Sequence, residues 1–211
     1  MTNAYITVAG SSREEIIINK SRFIGYAAPC ASETDALSFL QKIKDEHKTA
    51  THHCYAYIIG ENSGIMRYSD DGEPGGTAGL PIMDVVRTRN IVNCCVVVVR
   101  YFGGTLLGTG GLVRAYSQSA QSALDAAGIV RMELTSLLSC TLPYPAWDKF
   151  RYAAEQLQVM IRNVEYSHVV SFRLAVRSCD RETLIPRLED SSDRLLTVLS
   201  EEESFEAWKT E

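Results

Sequence analysis

The sequence has no apolar run that approaches the roughly 20 residues needed to cross a bilayer. Its first residues also lack the basic start and long apolar stretch of an export signal, so we expect a cytoplasmic protein without a membrane segment. Basic residues are not in excess, since the formal net charge is −5. Proteins that wrap nucleic acid by general attraction are usually basic. Any contact with nucleic acid is therefore predicted to be a local patch.

Several motifs that carry chemistry are missing as well. There is no Gly-x-Ser-x-Gly elbow, no P-loop and no Cys-x-x-Cys pair, and the six cysteines are expected to be buried, reduced thiols. His52 and Cys54 share one face of a predicted strand while His53 points the other way, and no matching ligand set lies elsewhere. We therefore predict no metal and no cofactor, and these absences favour a binding protein over an enzyme.

The most informative stretch runs from residue 94 to residue 116 and reads CCVVVVRYFGGTLLGTGGLVRAY. Its run of β-branched residues, Val96 to Val99, predicts a strand buried on both faces, with Cys94 and Cys95 on opposite faces. From Leu112 a helical pattern follows, and Gly128 stops it. Between strand and helix lies a glycine-rich turn whose glycines are Gly103, Gly104, Gly108, Gly110 and Gly111.

This turn has two interpretations. Its bare amides at a helix N-terminus, with Arg100 and Arg114, could hold a phosphate from RNA or from a small ligand. Alternatively, the glycines only allow tight packing of helix on strand, which the small Ala120 and Ala123 would suit. Spacing alone leaves both open.

A second motif is the loop sequence Asp70-Asp71-Gly72-Glu73. Three carboxylates could bind a hard cation, but they lack the spacing of a calcium loop. They could instead cap backbone amides of the turn, which we favour, or pair with Arg100 or Arg67.

The hydrophobic pattern predicts two α+β domains, at residues 1–130 and 131–211. In the first, Ser32 and Asp35 form a capping box before a helix, and Pro81 begins a short helix that runs to about Asn90. The second has the order βαββαβ of a ferredoxin-like fold. Its last helix is expected to be capped by Asp180 despite an internal proline, and its last strand to lie around 195–199, followed by an acidic tail.

Two segments together, DDGEPGGTAGLP and NCCVVVVRYFGGTLLGTGGLVRAY, closely resemble the bacterial, YigZ-like branch of the IMPACT family. The sequences Ser21-Arg22-Phe23-Ile24 and His52-x-Cys54-Tyr55-Ala56-Tyr57 are similar to that family too. The resemblance covers residues 17 to about 128. It implies an N-terminal domain of the ribosomal protein S-five domain-2-like fold, followed by a ferredoxin-like domain resembling elongation factor G domain V.

The resemblance also implies a function. Eukaryotic relatives regulate translation during amino-acid starvation, so we expect a cytoplasmic regulator of translation whose partner is RNA or the ribosome. The residues expected to bind RNA or another anion are His52, Arg100, Tyr101, Gly103, Gly104, Gly110, Gly111 and Arg114, with both arginines on phosphates. The loop carboxylates Asp70, Asp71 and Glu73 are expected to hold the loop.

Two alternatives stay open. One is an enzyme on a small phosphorylated or acidic substrate, with His52 as the acid–base group and a closed pocket that joins His52, Asp71 and Gly110. The other is a protein-interaction module that uses the C-terminal sheet as its platform.

Overall fold

The computed structural model describes residues 3–208, which form two compact units, residues 4–131 and residues 132–208 together with Asn3. The elements up to residue 127 are β1 (Ala4–Val8), β2 (Ser12–Ile18), β3 (Ser21–Pro29), α1 (Glu33–Glu46), β4 (His52–Ile59), β5 (Ile65–Ser69), α2 (Gly79–Thr88), β6 (Cys94–Tyr101) and α3 (Gly108–Ala127). They are followed by β7 (Ile129–Leu142), α4 (Tyr144–Gln156), β8 (Met160–Tyr166), β9 (Val170–Arg177), α5 (Arg181–Ser191) and β10 (Thr197–Trp208).

The N-terminal unit is built on an antiparallel sheet with the strand order β2-β3-β6-β4-β5. Its middle strand, β6, is buried on both faces, as the valine run predicted. Val96 and Val98 pack in one core with α2 and α3, whereas Val97 and Val99 pack in a second core with α1. Cys94 and Cys95 likewise fall in different cores. The sheet is therefore a layer between helices.

Local signals set two of the helix ends. The predicted capping box of α1 is confirmed, because Asp35 donates its amide to Ser32 Oγ (3.1 Å) and Ser32 donates its amide to Asp35 Oδ2 (2.9 Å). Helix α3 differs from the prediction at its start. It begins at Gly108, not at Leu112, so the last glycines of the turn form its first turn. It ends before Gly128, whose φ is 72°.

The C-terminal unit has the predicted order βαββαβ, which confirms the α+β fold class. Strands β7, β9 and β8 are successive antiparallel neighbours, and β10 pairs with β7. The core is aromatic, because the rings of Trp147 and Phe150 both lie against Phe172, with centroids 5.1 and 5.2 Å apart. Pro186 lies inside α5, and no side-chain hydrogen bond from Asp180 caps that helix.

The last strand was predicted too short. β10 runs from Thr197 to Trp208 and so includes residues 201–208 of the expected acidic tail, whose last three residues lie outside the described part of the chain. Its carboxylates are paired with arginines of neighbouring elements. Arg173 lies 3.1 Å from Glu202, and Arg162 donates to Glu206 at 2.7 Å. Backbone pairing with β7 holds this glutamate-rich segment in a strand, and the ion pairs add to it.

Two further expectations concern membranes and thiols. Within residues 3–208, no helix combines the length and the apolar character that a membrane crossing requires. Five cysteines are buried and free as predicted, but Cys179 is exposed.

Candidate functional site

The loop between β5 and α2 is organised by Asp70. Its carboxylate accepts hydrogen bonds from the amides of Gly76 (2.9 Å), Ala78 (3.0 Å) and Gly79 (2.8 Å), and so caps the start of α2. Burial alone would raise the pKa of Asp70, but the three amide bonds outweigh it and the pKa is lowered. Gly79 is required here, because a Cβ would lie 2.6 Å from the backbone carbon of Ser69.

The neighbouring Asp71 ties this loop to β4. Its carboxylate accepts the amide of His53 at 2.6 Å, and its carbonyl oxygen lies 2.7 Å from Nδ1 of His52. A carbonyl can only accept, so Nδ1 of His52 carries the proton. The other ring nitrogen, Nε2, then lies 3.9 Å from Glu73 Oε1. The structure thus brings together His52, Asp71 and Glu73 from among the predicted residues.

Glu73 and Arg100 form an ion pair in the interior. Arg100 donates to Glu73 Oε1 at 2.6 Å, and the side chains are only 6% and 3% exposed. Tyr116 of α3 donates its hydroxyl to the same oxygen at 2.7 Å. One carboxylate therefore joins the loop, the central strand and α3. The pairing with Arg100, one of the interpretations of the loop, is present.

Further groups complete this buried cluster. Cys54 donates its thiol to the carbonyl of Asp70 (3.0 Å) and lies 3.4 Å from the Tyr116 hydroxyl. Burial raises the pKa of Cys54 to about 12 and also raises that of Tyr116. Both groups thus stay protonated at neutral pH, and neither is an activated nucleophile.

The prediction that Arg100 contacts phosphate stays untested, but its surroundings have consequences. The guanidinium is held by Glu73, lies 3.4 Å from Ser21 Oγ, and is covered by the ring of Phe23 at 5.3 Å. A phosphate in solution has no direct access to a group this buried. Arg114, by contrast, is exposed on α3.

The glycine-rich turn divides into two parts. Gly103 is a packing residue, because it donates its amide to Ser21 Oγ (3.1 Å) and a Cβ there would lie 2.0 Å from the Lys20 carbonyl carbon. Gly104, Gly108 and Gly110 are exposed, and a Cβ added at any of them would meet nothing within 4 Å. The packing interpretation thus fits Gly103, whereas the space that an anion site requires is present at Gly104, Gly108 and Gly110.

The backbone amides in the first turn of α3 are also left without a side-chain cap. Leu107 occupies the N-cap position, no side chain caps the helix, and no acidic residue lies in its first turn. Gly111 is packed against the Leu107 side chain, with a virtual Cβ 3.1 Å away. Uncapped amides at an exposed helix start favour an anion.

Tyr101 lies apart from these groups, on the opposite face of the sheet. Its hydroxyl is 2.9 Å from Nδ1 of His47, whose Nε2 lies 2.6 Å from the Tyr26 hydroxyl. Burial lowers the pKa of His47. Neighbouring residues of one strand point to opposite faces, which is why the predicted pair Arg100 and Tyr101 is separated.

Sequence reasoning missed three members of these clusters: Ser21, Tyr116 and His47. Tyr116 offered a weak signal, since its hydroxyl stands on an otherwise apolar helix face of leucine and alanine. Ser21 lies in one of the family-like motifs, but nothing there pointed to a contact with Arg100, and His47 gave no signal.

No enclosed pocket joins His52, Asp71 and Gly110 among the cavities seen. A cavity of about 810 Å³ is lined by residues that include Ile58, Met66 and Arg87, and by none of those three. Between residues 3 and 208, no three His, Cys, Asp or Glu side chains converge as metal ligands would.

Comparison with known proteins identifies the class. The family profile described as Impact N-terminal domain matches residues 19–124, and a second profile, domain of unknown function DUF1949, matches residues 140–192. The chain therefore belongs to the IMPACT family, which confirms the resemblance drawn from its motifs.

Individual relatives extend the match over most of the chain. It is 40% identical over 183 residues to the IMPACT family member YvyE of Bacillus subtilis, covering 87% of this chain and 83% of that one. It is 35% identical to YigZ of Escherichia coli, covering 88% and 92%. A crystal structure described as that of a hypothetical protein covers 95% of this chain and 98% of its own, at 31% identity and a TM-score of 0.62.

Proposed function

We propose that this protein is a cytoplasmic regulator of translation that binds RNA or the ribosome through the exposed first turn of α3. Membership of the IMPACT family supports the translational part, because the resemblance implies translational control in the family's eukaryotic members. Sequence identity to those members covers less of the chain, as with human Protein IMPACT at 33% over 94 residues.

One observation carries the proposed contact. The amides at the start of α3 have no side-chain cap and no nearby first-turn carboxylate, and Gly108 and Gly110 leave them open to solvent. Backbone donors in this arrangement suit a phosphate oxygen. The exposed Arg114, four residues beyond Gly110, supplies a cation on the same helix. With a net charge of −5, binding depends on this local patch.

Salt dependence tests the proposal. We expect the full chain to bind a uniform single-stranded RNA and purified ribosomes at low salt, with log affinity falling linearly as log salt rises, by about 0.7 slope units per phosphate of single-stranded RNA. Arg114→Ala should reduce the magnitude of this slope by about 0.7, the value expected for the loss of one phosphate contact. Fluorescence anisotropy with labelled RNA and ribosome cosedimentation measure both.

A matched pair at Gly110 separates the patch from nonspecific attraction. A Cβ at Gly110 would meet nothing within 4 Å, so neither Gly110→Ala nor Gly110→Asp creates a clash at that atom, and only the aspartate places a negative charge beside the helix amides. We expect Gly110→Asp to weaken binding about tenfold or more relative to Gly110→Ala, which corresponds to about 1.4 kcal/mol. Equal binding by the two variants, or no binding at low salt, would contradict the proposal.

A further inference from the structure

Strand β5 (Ile65–Ser69) is an edge of the N-terminal sheet. In the order β2-β3-β6-β4-β5 its one strand neighbour is β4, to which it pairs from Tyr55–Ser69 through Ile59–Ile65. An edge strand presents unpaired backbone donors and acceptors that can pair with another extended chain.

Two observations show which backbone groups of β5 face outward. His53 in β4 directs its amide toward Asp71, just beyond β5, whereas Gly60 directs its amide to Asn93, just before β6. By alternation the amide of Tyr57 faces β5, so its partner Arg67 bonds inward. Met66 and Tyr68 must then face outward. Consistently, the Met66 carbonyl is free to accept from the Arg67 side chain, at 3.0 Å.

The side chains of the same two residues are exposed and apolar in part. Met66 is 40% exposed and Tyr68 is 51% exposed. Their cross-strand partners Ile58 and Ala56 belong to the core under α2 and α3, so both side chains lie on that face. Beside Met66 lies the cavity of about 810 Å³, whose lining includes Ile58 and Ile91. A side chain opposite Met66 would have room there, and Ile58 and Ile91 offer it an apolar contact in a lining that also includes Asp84 and Arg87.

Arg67 gives the edge a charge. It stands on the opposite face, across from Tyr57, and it is exposed. Its guanidinium bonds to the Met66 carbonyl, and no carboxylate within residues 3–208 is in ion-pair distance of it. A residue directly across from Arg67 on an added strand would share its face, and an acidic residue there would be complementary.

A second copy of the chain fits this edge poorly. The antiparallel register that pairs all five residues of one β5 with another places Arg67 opposite its own copy. Like charges directly opposite each other destabilise a strand pair. Charge therefore favours a different chain over self-association.

We propose that the open edge of β5 binds an extended segment of a partner protein as a sixth strand of the sheet. The segment carries an acidic residue opposite Arg67 and apolar residues opposite Met66 and Tyr68. Backbone hydrogen bonds supply affinity, while the cavity and Arg67 select the sequence. The residues of this surface are distinct from those of the RNA contact proposed for α3.

The test uses the full chain and a fluorescent, terminally blocked peptide with the central sequence Thr-Ile-Glu-Ile-Thr. We expect Arg67→Glu to weaken its binding about tenfold by anisotropy, as the pair changes from opposite to like charges. The same variant should favour a Thr-Ile-Lys-Ile-Thr peptide. Arg13→Glu on β2, the other edge, is the matched control and should leave binding unchanged.

Backbone pairing is tested separately. Methylating the peptide amides that face β5 should abolish binding, and hydrogen exchange at the Met66 and Tyr68 amides should slow when the unmodified peptide is added. The proposal is overturned by equal binding of the glutamate and lysine peptides, by full binding of the methylated peptide, or by no binding at millimolar peptide. Protection of these amides by dimerisation of the protein alone would also overturn it.

Discussion

The two units of the molecule differ in their glycine content and in how their elements pack. All fourteen glycines lie between residues 10 and 128, and none lies in residues 132–208. In the N-terminal unit, glycine lets elements approach closely: a Cβ on Gly25 would lie 2.6 Å from the Ser119 carbonyl oxygen, and one on Gly103 would meet the Lys20 backbone. The C-terminal unit instead packs aromatic side chains together. The N-terminal unit therefore depends on close backbone contacts at a few glycines, whereas the C-terminal unit depends on large side chains that fill its core.

Charge is distributed differently as well. The N-terminal unit buries the pair Arg100–Glu73, with 6% and 3% side-chain exposure, whereas the C-terminal pair Arg173–Glu202 is 47% and 59% exposed. Water screens the second pair and barely reaches the first. The same chemical contact should therefore matter far more in one unit than in the other.

The largest expected effect breaks the buried pair. Glu73→Ala leaves the Arg100 charge and the Tyr116 hydroxyl without their acceptor, and should lower the free energy of unfolding by about 3–5 kcal/mol. Glu202→Ala, the exposed counterpart, should cost less than about 1 kcal/mol. Urea denaturation followed by circular dichroism measures both.

A double replacement sharpens this comparison. Glu73→Leu combined with Arg100→Met removes both charges and should recover most of the lost stability, because the stranded cation accounts for most of the penalty and only the Tyr116 hydroxyl still lacks its acceptor. If Glu73→Ala lowered the free energy of unfolding no more than Glu202→Ala does, burial of the Arg100–Glu73 pair would not contribute to its effect on stability.

The next effect tests the division of the glycine-rich turn. Gly103→Ala forces a methyl group into the Lys20 backbone and should destabilise the protein by about 1–3 kcal/mol or more, as overpacking does. Gly110→Ala, with nothing within 4 Å, should stabilise α3 by up to about 1 kcal/mol through helix propensity. Thermal unfolding distinguishes them. Effects of the same sign would show that the turn is one structural unit.

The smallest predicted effect concerns pH. The pKa of Asp70 is lowered in the folded protein by three backbone amides, against the opposing influence of burial. Its stabilising contribution is therefore complete above the unfolded value of about 3.9 and is lost as pH falls through the lower folded value.

Asp70→Asn should remove this contribution, about 1–2 kcal/mol at neutral pH. We expect the difference in unfolding free energy between wild type and variant to shrink below pH 4. A difference that stayed constant from pH 7 to pH 2 would assign the loss to something other than the carboxylate charge.

Much of the fold could be predicted because the relevant signals are local. Four consecutive valines indicated a strand buried on both faces, and Ser32 with Asp35 fixed the start of α1. The βαββαβ order followed from alternating periodicities. The length of β10 could not be predicted, since its glutamate-rich sequence gives no local sign of the backbone pairing with β7.

The candidate site was less accessible to such reasoning. An arginine at a strand end has the same sequence context whether it is buried or exposed. The partner of Arg100 lies 27 residues away in an irregular loop, and Tyr116 completes the cluster from a helix face that otherwise looked apolar. Strand alternation could have separated Tyr101 from Arg100, but only the tertiary arrangement shows that Arg100 is enclosed by Glu73 and Phe23.

The burial of five cysteines and the exposure of Cys179 have a practical consequence. A maleimide dye added to the native protein should attach at one position, in the connection between β9 and α5. Cys179 is not part of α3 or β5, so labelling it leaves the residues of both proposed contacts unmodified. The five buried thiols would react only when the cores open, so the rate at which they are labelled would report the rate of unfolding.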